Sequence, residues 1–239
     1  IVSNLVTADK TAQEFAAERG DDQRTEGEYN YEDTTTASEG DVLDYILVSK
    51  IPRIHSKATY LTEYTFRDVL SEGITYNEDV RVAFYTSEDA AMVNDTTKAV
   101  DIWGFAAQDN GEEDAMYAQD YAKLSVDYNE ETGQTQMTVS FTDAGLKYIN
   151  ENRSEYYIVI YYTGTVNSDA TAVLGDEGNK NDVTLTWRRT SDTFYNTLED
   201  RCYVYTFGLD LTKLFSDGNG DPTKVKFNCY NQTDGYYLV

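Results

Sequence analysis

The run GNKNDVTLTW, residues 178 to 187, places Asn179 and Asn181 on either side of a lysine, just ahead of a strand-like stretch. Gly and Asn tolerate unusual backbone angles, so the amides read either as a turn or as a reactant. Other residue types offer less. His55, in IPRIHSK, has no second imidazole for a metal pair and reads as a loop residue. DGNGD, residues 217 to 221, begins like a calcium loop but lacks the sixth-position glycine and carries Asn228 where the closing glutamate belongs. It reads as a turn. DNGEED, residues 109 to 114, reads as a solvated acidic loop. No nucleophile elbow, phosphate loop or zinc spacing occurs. Acids are so abundant that counting them gives no specific signal for a glycosidase pair.

Lys plus Arg is 19 and Asp plus Glu is 43, which gives a net charge of −24. Such a surface repels phosphate backbones and anionic lipid, so neither nucleic acid nor direct membrane insertion is expected. No apolar run is long enough to span a bilayer. The chain has 239 residues, room for one large domain or two modest ones. It has no initiating Met and no signal peptide, so it reads as a processed or excised piece. Two cysteines, Cys202 and Cys229, are too few for a disulfide framework and read as packed thiols. Twenty-one Tyr, many Thr and Val, and only Pro52 and Pro222 favour pleated, half-buried surfaces.

The elements that must position these residues are mostly strands. Residues 1 to 10 read as a strand ending near Lys10, and 11 to 40 as a polar surface excursion. DVLDYILVSKIP (41 to 52) alternates as a half-buried strand does. Residues 58 to 77 give a strand, a turn at 71 to 73 and a short strand; 80 to 86 give another. Residues 88 to 121 are irregular and acidic, an insertion with one helical turn. Residues 123 to 141 read as a hairpin, and TDAGLKYINEN (142 to 152) as a helix capped by Thr142. Strands follow at 156 to 166, 181 to 190 and 201 to 215, then a hairpin at 224 to 239. Strands at regular spacing, joined by turns and one short helix, point to an all-β, immunoglobulin-like sandwich. The expected division is residues 1–200 for this domain and 201–239 for the first strands of a second β-sandwich.

Five motifs occur in one order: SEGDVLDYILVSKIP, ATYLTEYTFRDVLSEGITYN, MTVSFTDAGLKYINEN, YYIVIYYTGTVNSDATA and GNKNDVTLTW. Together they resemble the isopeptide-forming domain of Gram-positive fimbrial proteins, the subunits of sortase-assembled pili, over roughly residues 1 to 190. YTFGLDLTKLF and KVKFNCYNQTDGYYLV resemble the start of a collagen-adhesin B-type domain. Neither an LPxTG sorting signal nor a YPK pilin motif is present, which fits a fragment or a non-shaft adhesin.

The resemblance implies a specific chemistry. In that family a first-strand lysine and a last-strand asparagine join as an amide with loss of ammonia, assisted by an acid. Carried over by motif, the lysine is Lys10 in TADKT, the acid is Asp68 in TFRDVL, and the asparagine is Asn181. Asn179, and less readily Asn167, remain alternatives. A lysine amine attacks only when neutral, which burial favours, and a carboxyl in the same dry site stays protonated. Folding supplies the effective concentration, so no cofactor, metal or turnover is implied, and the chain is expected not to be an enzyme beyond one self-modification. Lys213 matches the next domain's lysine and should remain a free amine.

Each residue also has a plainer role open to it: Lys10 as a solvated strand end, Asp68 as a turn or surface acid. The expected function is a structural pilin or adhesin module on a Gram-positive cell surface, partnered by other pilin subunits or surface proteins. The alternative is an adhesin that presents Trp103, Phe105, Tyr117 and Tyr121 of the insertion to a glycan or host protein.

Overall fold

A computed structural model of the chain describes residues 8–15, 31–106, 117–118, 120–173, 177–206, 214–216, 218–232 and 235–238. The chain divides into two units, Ile1–Phe207 and Gly208–Val239. Among the described residues the first unit holds two six-stranded sheets. The inner sheet faces share one core, so the unit is a β-sandwich.

The first sheet contains β1 (Ala8–Phe15), β3 (Val42–Lys50), β5 (Ile74–Tyr76), β6 (Arg81–Tyr85), β7 (Asp101–Trp103) and β10 (Tyr157–Val166). Its order is β1-β3-β10-β6-β7, with β5 also pairing β10. The second runs β2-β12-β11-β4-β9-β8, from β2 (Thr34–Thr36) through β12 (Asn196–Tyr205), β11 (Asn179–Arg189), β4 (Leu61–Leu70) and β9 (Thr135–Phe141) to β8 (Ala122–Tyr128).

Most expected strands are present, and the differences have tertiary causes. Thr11–Phe15, read as the start of a surface excursion, continues β1, because every residue from Ala8 to Phe15 finds a partner between Val42 and Ser49 on β3. β3 was expected to be half-buried, yet Leu43 to Val48 are buried on both faces. Its outer side is covered: Ile46, Val48, Ala83, Tyr85 and Val159 pack against Ala90 and Ala91 of α1 (Glu88–Met92) in a second, smaller cluster. The segment from 201 was expected to open a second domain. Instead β12 pairs with β11 along its length and buries Cys202 and Val204 in the first unit's core.

Helix α2 (Asp143–Asn152) forms where its motif predicts. The Thr142 side chain accepts from the Gly145 amide at 3.1 Å. Gly145 is needed for close approach, since a Cβ there would lie 1.9 Å from the Tyr121 carbonyl oxygen. Buried Asn150 ties the helix to β4, accepting from Leu61 N at 2.8 Å and donating to Leu61 O at 3.0 Å. In the second unit, β13 (Cys229–Asn231) and β14 (Tyr236–Leu238) form the expected hairpin. Lys213 lies outside the described residues. Cys202 and Cys229 are both thiols.

Candidate functional site

Side chains on a strand alternate between faces, and on β4 and β11 that alternation decides which polar groups enter the core. Tyr64, Phe66, Asp68 and Leu70 of β4 are buried, as are Asn179, Asn181, Val183 and Leu185 of β11. Across the ladder Asn181 pairs with Leu70, and Val183 with Asp68. The two asparagines are therefore strand residues rather than a turn.

From the opposite sheet, β10 supplies Tyr162. Its hydroxyl donates to Asp68 Oδ2 at 2.6 Å and accepts from Asn181 Nδ2 at 2.5 Å. Asp68, Tyr162 and Asn181 are 4, 1 and 1 % exposed, so this chain of polar groups crosses a dry core. The Tyr162 ring stacks on Tyr45, 5.1 Å between centroids, and meets Tyr76 edge-on at 5.8 Å. Asn181 Oδ1 is buried and accepts no hydrogen bond from any described residue. An amide oxygen left in that state costs roughly 1–3 kcal/mol.

Lys10 stands opposite Leu47 on β3, and Leu47 opposite Ile160 on β10. Residues facing each other across an antiparallel ladder share a face. Leu47 and Ile160 belong to the inner core, so Lys10 occupies an inner-face position on the sheet that carries Tyr162. The next inner row is Ala12, Tyr45 and Tyr162. The strand of Lys10 also runs beside β12, the neighbour of β11.

The other asparagines are held elsewhere. Asn179 is buried, accepts weakly from Ser71 Oγ at 3.4 Å and lies against Gly73, where a Cβ would stand 2.1 Å from its Oδ1. Asn167 donates to Glu72 O at 2.8 Å and Thr75 Oγ1 at 3.0 Å, bracing a loop. Tyr162 was not singled out by sequence. The available signal was the alternation of YYIVIYYTGTV, which puts it on the same face as Ile158 and Ile160. Cys202, fully buried, pairs with Asn181 across β11 and β12.

Burial pushes the Tyr162 hydroxyl well above its ordinary value of 10.0, with further help from the Asp68 charge and Tyr45, while the Asn181 bond acts the other way. Tyr45 is raised chiefly by burial, then by Cys202 and Asp68. Tyr64 is also raised by burial, against the bond to Ser49. For a group whose folded pKa exceeds its unfolded one, the stabilisation is complete below the unfolded pKa and is lost as pH rises through the folded one. The contribution of these tyrosines should therefore be level up to about pH 10 and fall above it, each steepening the fall by about 1.4 kcal/mol per pH unit. Urea midpoints at about pH 8 and about pH 11 check this; equal midpoints would contradict it.

The proposed aromatic surface is corrected by the structure. Trp103 is 0 % exposed and Phe105 8 %, so both are core residues. Tyr117 and Tyr121 are half-buried, and Tyr121 stacks on Tyr148 of α2 at 5.2 Å. The flanks of the insertion are drawn onto the sandwich: Gly104 bridges Tyr117, and Ala118 N donates to Gly104 O at 2.8 Å. Residues 107–116 lie outside the described residues.

No family model and no curated protein matches the chain. Solved structures do. The 35 kDa C-terminal fragment of the major pilin GBS80 of Streptococcus agalactiae matches with a TM-score of 0.52 at 16% identity, over 90% of this chain and 61% of the fragment. The T6 backbone pilin of serotype M6 Streptococcus pyogenes matches with a TM-score of 0.47 at 19% identity, over 84% of this chain and 36% of that pilin. The major pilin SpaD from Corynebacterium diphtheriae gives 0.47 at 12% identity, over 82% of this chain and 34% of that one. The chain spans about three fifths of the GBS80 fragment and about a third of each of the other two pilins. The match to the GBS80 fragment shows that its fold is pilin-like.

Proposed function

We propose that the chain is a structural module of a Gram-positive surface pilin, whose first unit cross-links itself through an amide between Lys10 and Asn181 with Asp68 as the assisting acid. The observation that carries this is the buried carboxyl–hydroxyl–carboxamide chain of Asp68, Tyr162 and Asn181 beside the inner-face row that contains Lys10. A buried carboxyl and a buried carboxamide with an unmet oxygen are costly in a core. Their retention together fits a reaction. Asn181 rather than Asn179 is the electrophile, because Asn181 is the amide joined to the acid through the tyrosine.

Lysine nitrogen adds to the Asn181 amide carbon, the carbon–Nδ2 bond breaks, and the amine's surplus proton leaves with Nδ2 as ammonia. The product needs no cofactor and resists reduction. It joins β1, an edge strand of one sheet, to β11, a central strand of the other. Pulling on the chain then cannot peel β1 away, the property a fibre subunit exposed at a cell surface requires. Partners in this role are other pilin subunits. The glycan- or host-protein-binding alternative keeps no aromatic support from Trp103 or Phe105, which are inside.

The test is the intact mass of the folded protein beside Lys10→Ala. The parent should be lighter than its sequence mass by one ammonia and the variant should not. A parent at full sequence mass rules out the cross-link. Peptide mapping should then locate the link at Asn181.

A further inference from the structure

We infer that Tyr162 is a catalytic residue of the cross-linking reaction, a proton relay between Asp68 and the departing nitrogen of Asn181. This rests on the cross-link proposed above and adds to it a residue outside the lysine, acid and asparagine set. The argument starts from which atoms touch. Asp68 bonds to the Tyr162 hydroxyl, and that hydroxyl bonds to Asn181 through Nδ2, the atom that must leave. The acid is thus connected to the leaving group through the tyrosine.

The direction of these bonds inverts as the reaction proceeds. In the resting amide, Nδ2 shares its lone pair with the carbonyl and can only donate, so Tyr162 accepts from it and, keeping its proton, donates a hydrogen bond to the Asp68 carboxylate, which starts the reaction able to accept a proton. Addition of the lysine amine makes the carbon tetrahedral. Nδ2 then has a localised lone pair and becomes an acceptor. Asp68 has meanwhile taken the proton released by the amine. It can now donate to the Tyr162 oxygen while the Tyr162 proton moves to Nδ2. The carbon–Nδ2 bond breaks, ammonia departs, and Asp68 and Tyr162 regain their starting protonation. One nitrogen–carbon bond forms, one breaks, and one proton travels from the amine to the ammonia.

The same hydroxyl selects the electrophile. Asn179 is buried two residues away on the same face, but its amide nitrogen contacts Val204 O at 3.5 Å instead. Packing keeps the relay fixed: Tyr45 stacks on one side of the ring and Tyr76 meets it edge-on. A hydroxyl within hydrogen-bond reach of both proton partners meets the geometric requirement for general acid–base work.

The experiment follows ammonia loss over time in freshly synthesised full-length chain by intact mass, for the parent and Tyr162→Phe, with folding monitored by circular dichroism. Tyr162→Phe should fold and lose ammonia more slowly by about 100-fold or more, within the ~10²–10⁴-fold range of a lost acid–base group. A shift of the link to Asn179 in this variant would also support the selecting role. Ammonia loss at the parent rate, at Asn181, overturns the relay and leaves the cross-link standing. A parent that never loses ammonia overturns both. If Tyr162→Phe does not fold, a fluorinated tyrosine at position 162 keeps the ring and hydroxyl and lowers the hydroxyl's pKa. The relay then requires a shifted pH–rate profile, and an unshifted one overturns it.

Discussion

Lys10→Ala should lower the thermal midpoint of the first unit by about 10–20 °C while leaving its strand content unchanged. The link from Lys10 to Asn181 would close a loop of about 170 residues, worth ~5 kcal/mol in the chain-entropy treatment used for disulfides. In a unit of this size each kcal/mol moves the midpoint by about 2–4 °C. The effect acts through the unfolded chain, whose freedom the bond restricts, so few folded-state contacts need change. Lys10→Arg separates the bond from the charge, because it keeps the charge and cannot form the amide. It should fall with Lys10→Ala. Scanning calorimetry reads the midpoints. A Lys10→Ala protein melting within about 2 °C of the parent would mean that no such restraint exists. Reducing agent should change neither midpoint, since an amide link, unlike a disulfide, would not be reduced.

Trp103→Ala should destabilise the first unit by about 3–5 kcal/mol, the largest loss expected from a single core truncation here. The indole lies among Phe84 at 4.8 Å, Tyr121 at 5.4 Å, Tyr148 at 5.6 Å and Phe141 at 6.3 Å between centroids. These rings come from β6, the flank of the insertion, α2 and β9, so one side chain holds four elements. Around them Arg153 lies over Phe84, Tyr148 and Tyr156 and pairs with Asp101 of β7. Removing the indole opens a cavity that rings fixed in separate elements cannot collapse to fill. Urea denaturation measures the loss. A change below about 1 kcal/mol would return Trp103 to the surface role expected from sequence.

That expectation failed for a physical reason. Residues 88 to 121 are acidic and lack strand or helix periodicity, which reads as solvent-exposed chain. Their aromatics are nevertheless apolar area with a core beside them, and β7 forms because the edge of β6 is open to it. Likewise TAQEF carries no strand pattern of its own, and β3 makes it one by offering a ladder. The assignment of 201 onward to a second domain followed its family-like motif. Burial of Cys202 and Val204 against the first core places Asn196–Tyr205 in the first unit instead.

The sequence by itself determined the β-sandwich class and the helix at Asp143–Asn152 with its Thr142 cap, while the buried faces of β4 and β11 that carry Asp68, Asn179 and Asn181 came from the structure. The class and the helix follow from local rules: a period of two, a capping hydroxyl, a turn at glycine. Only the tertiary structure decided which amide meets the acid, and through what. Asp68 and Asn181 lie 113 positions apart (181 − 68), and the group between them arrives from the other sheet. A period-two pattern says which residues share a face with Tyr162 but not what stands opposite, because that depends on how two sheets are stacked and in what register. Stacking is set by the summed packing of the whole core, and no single motif encodes it.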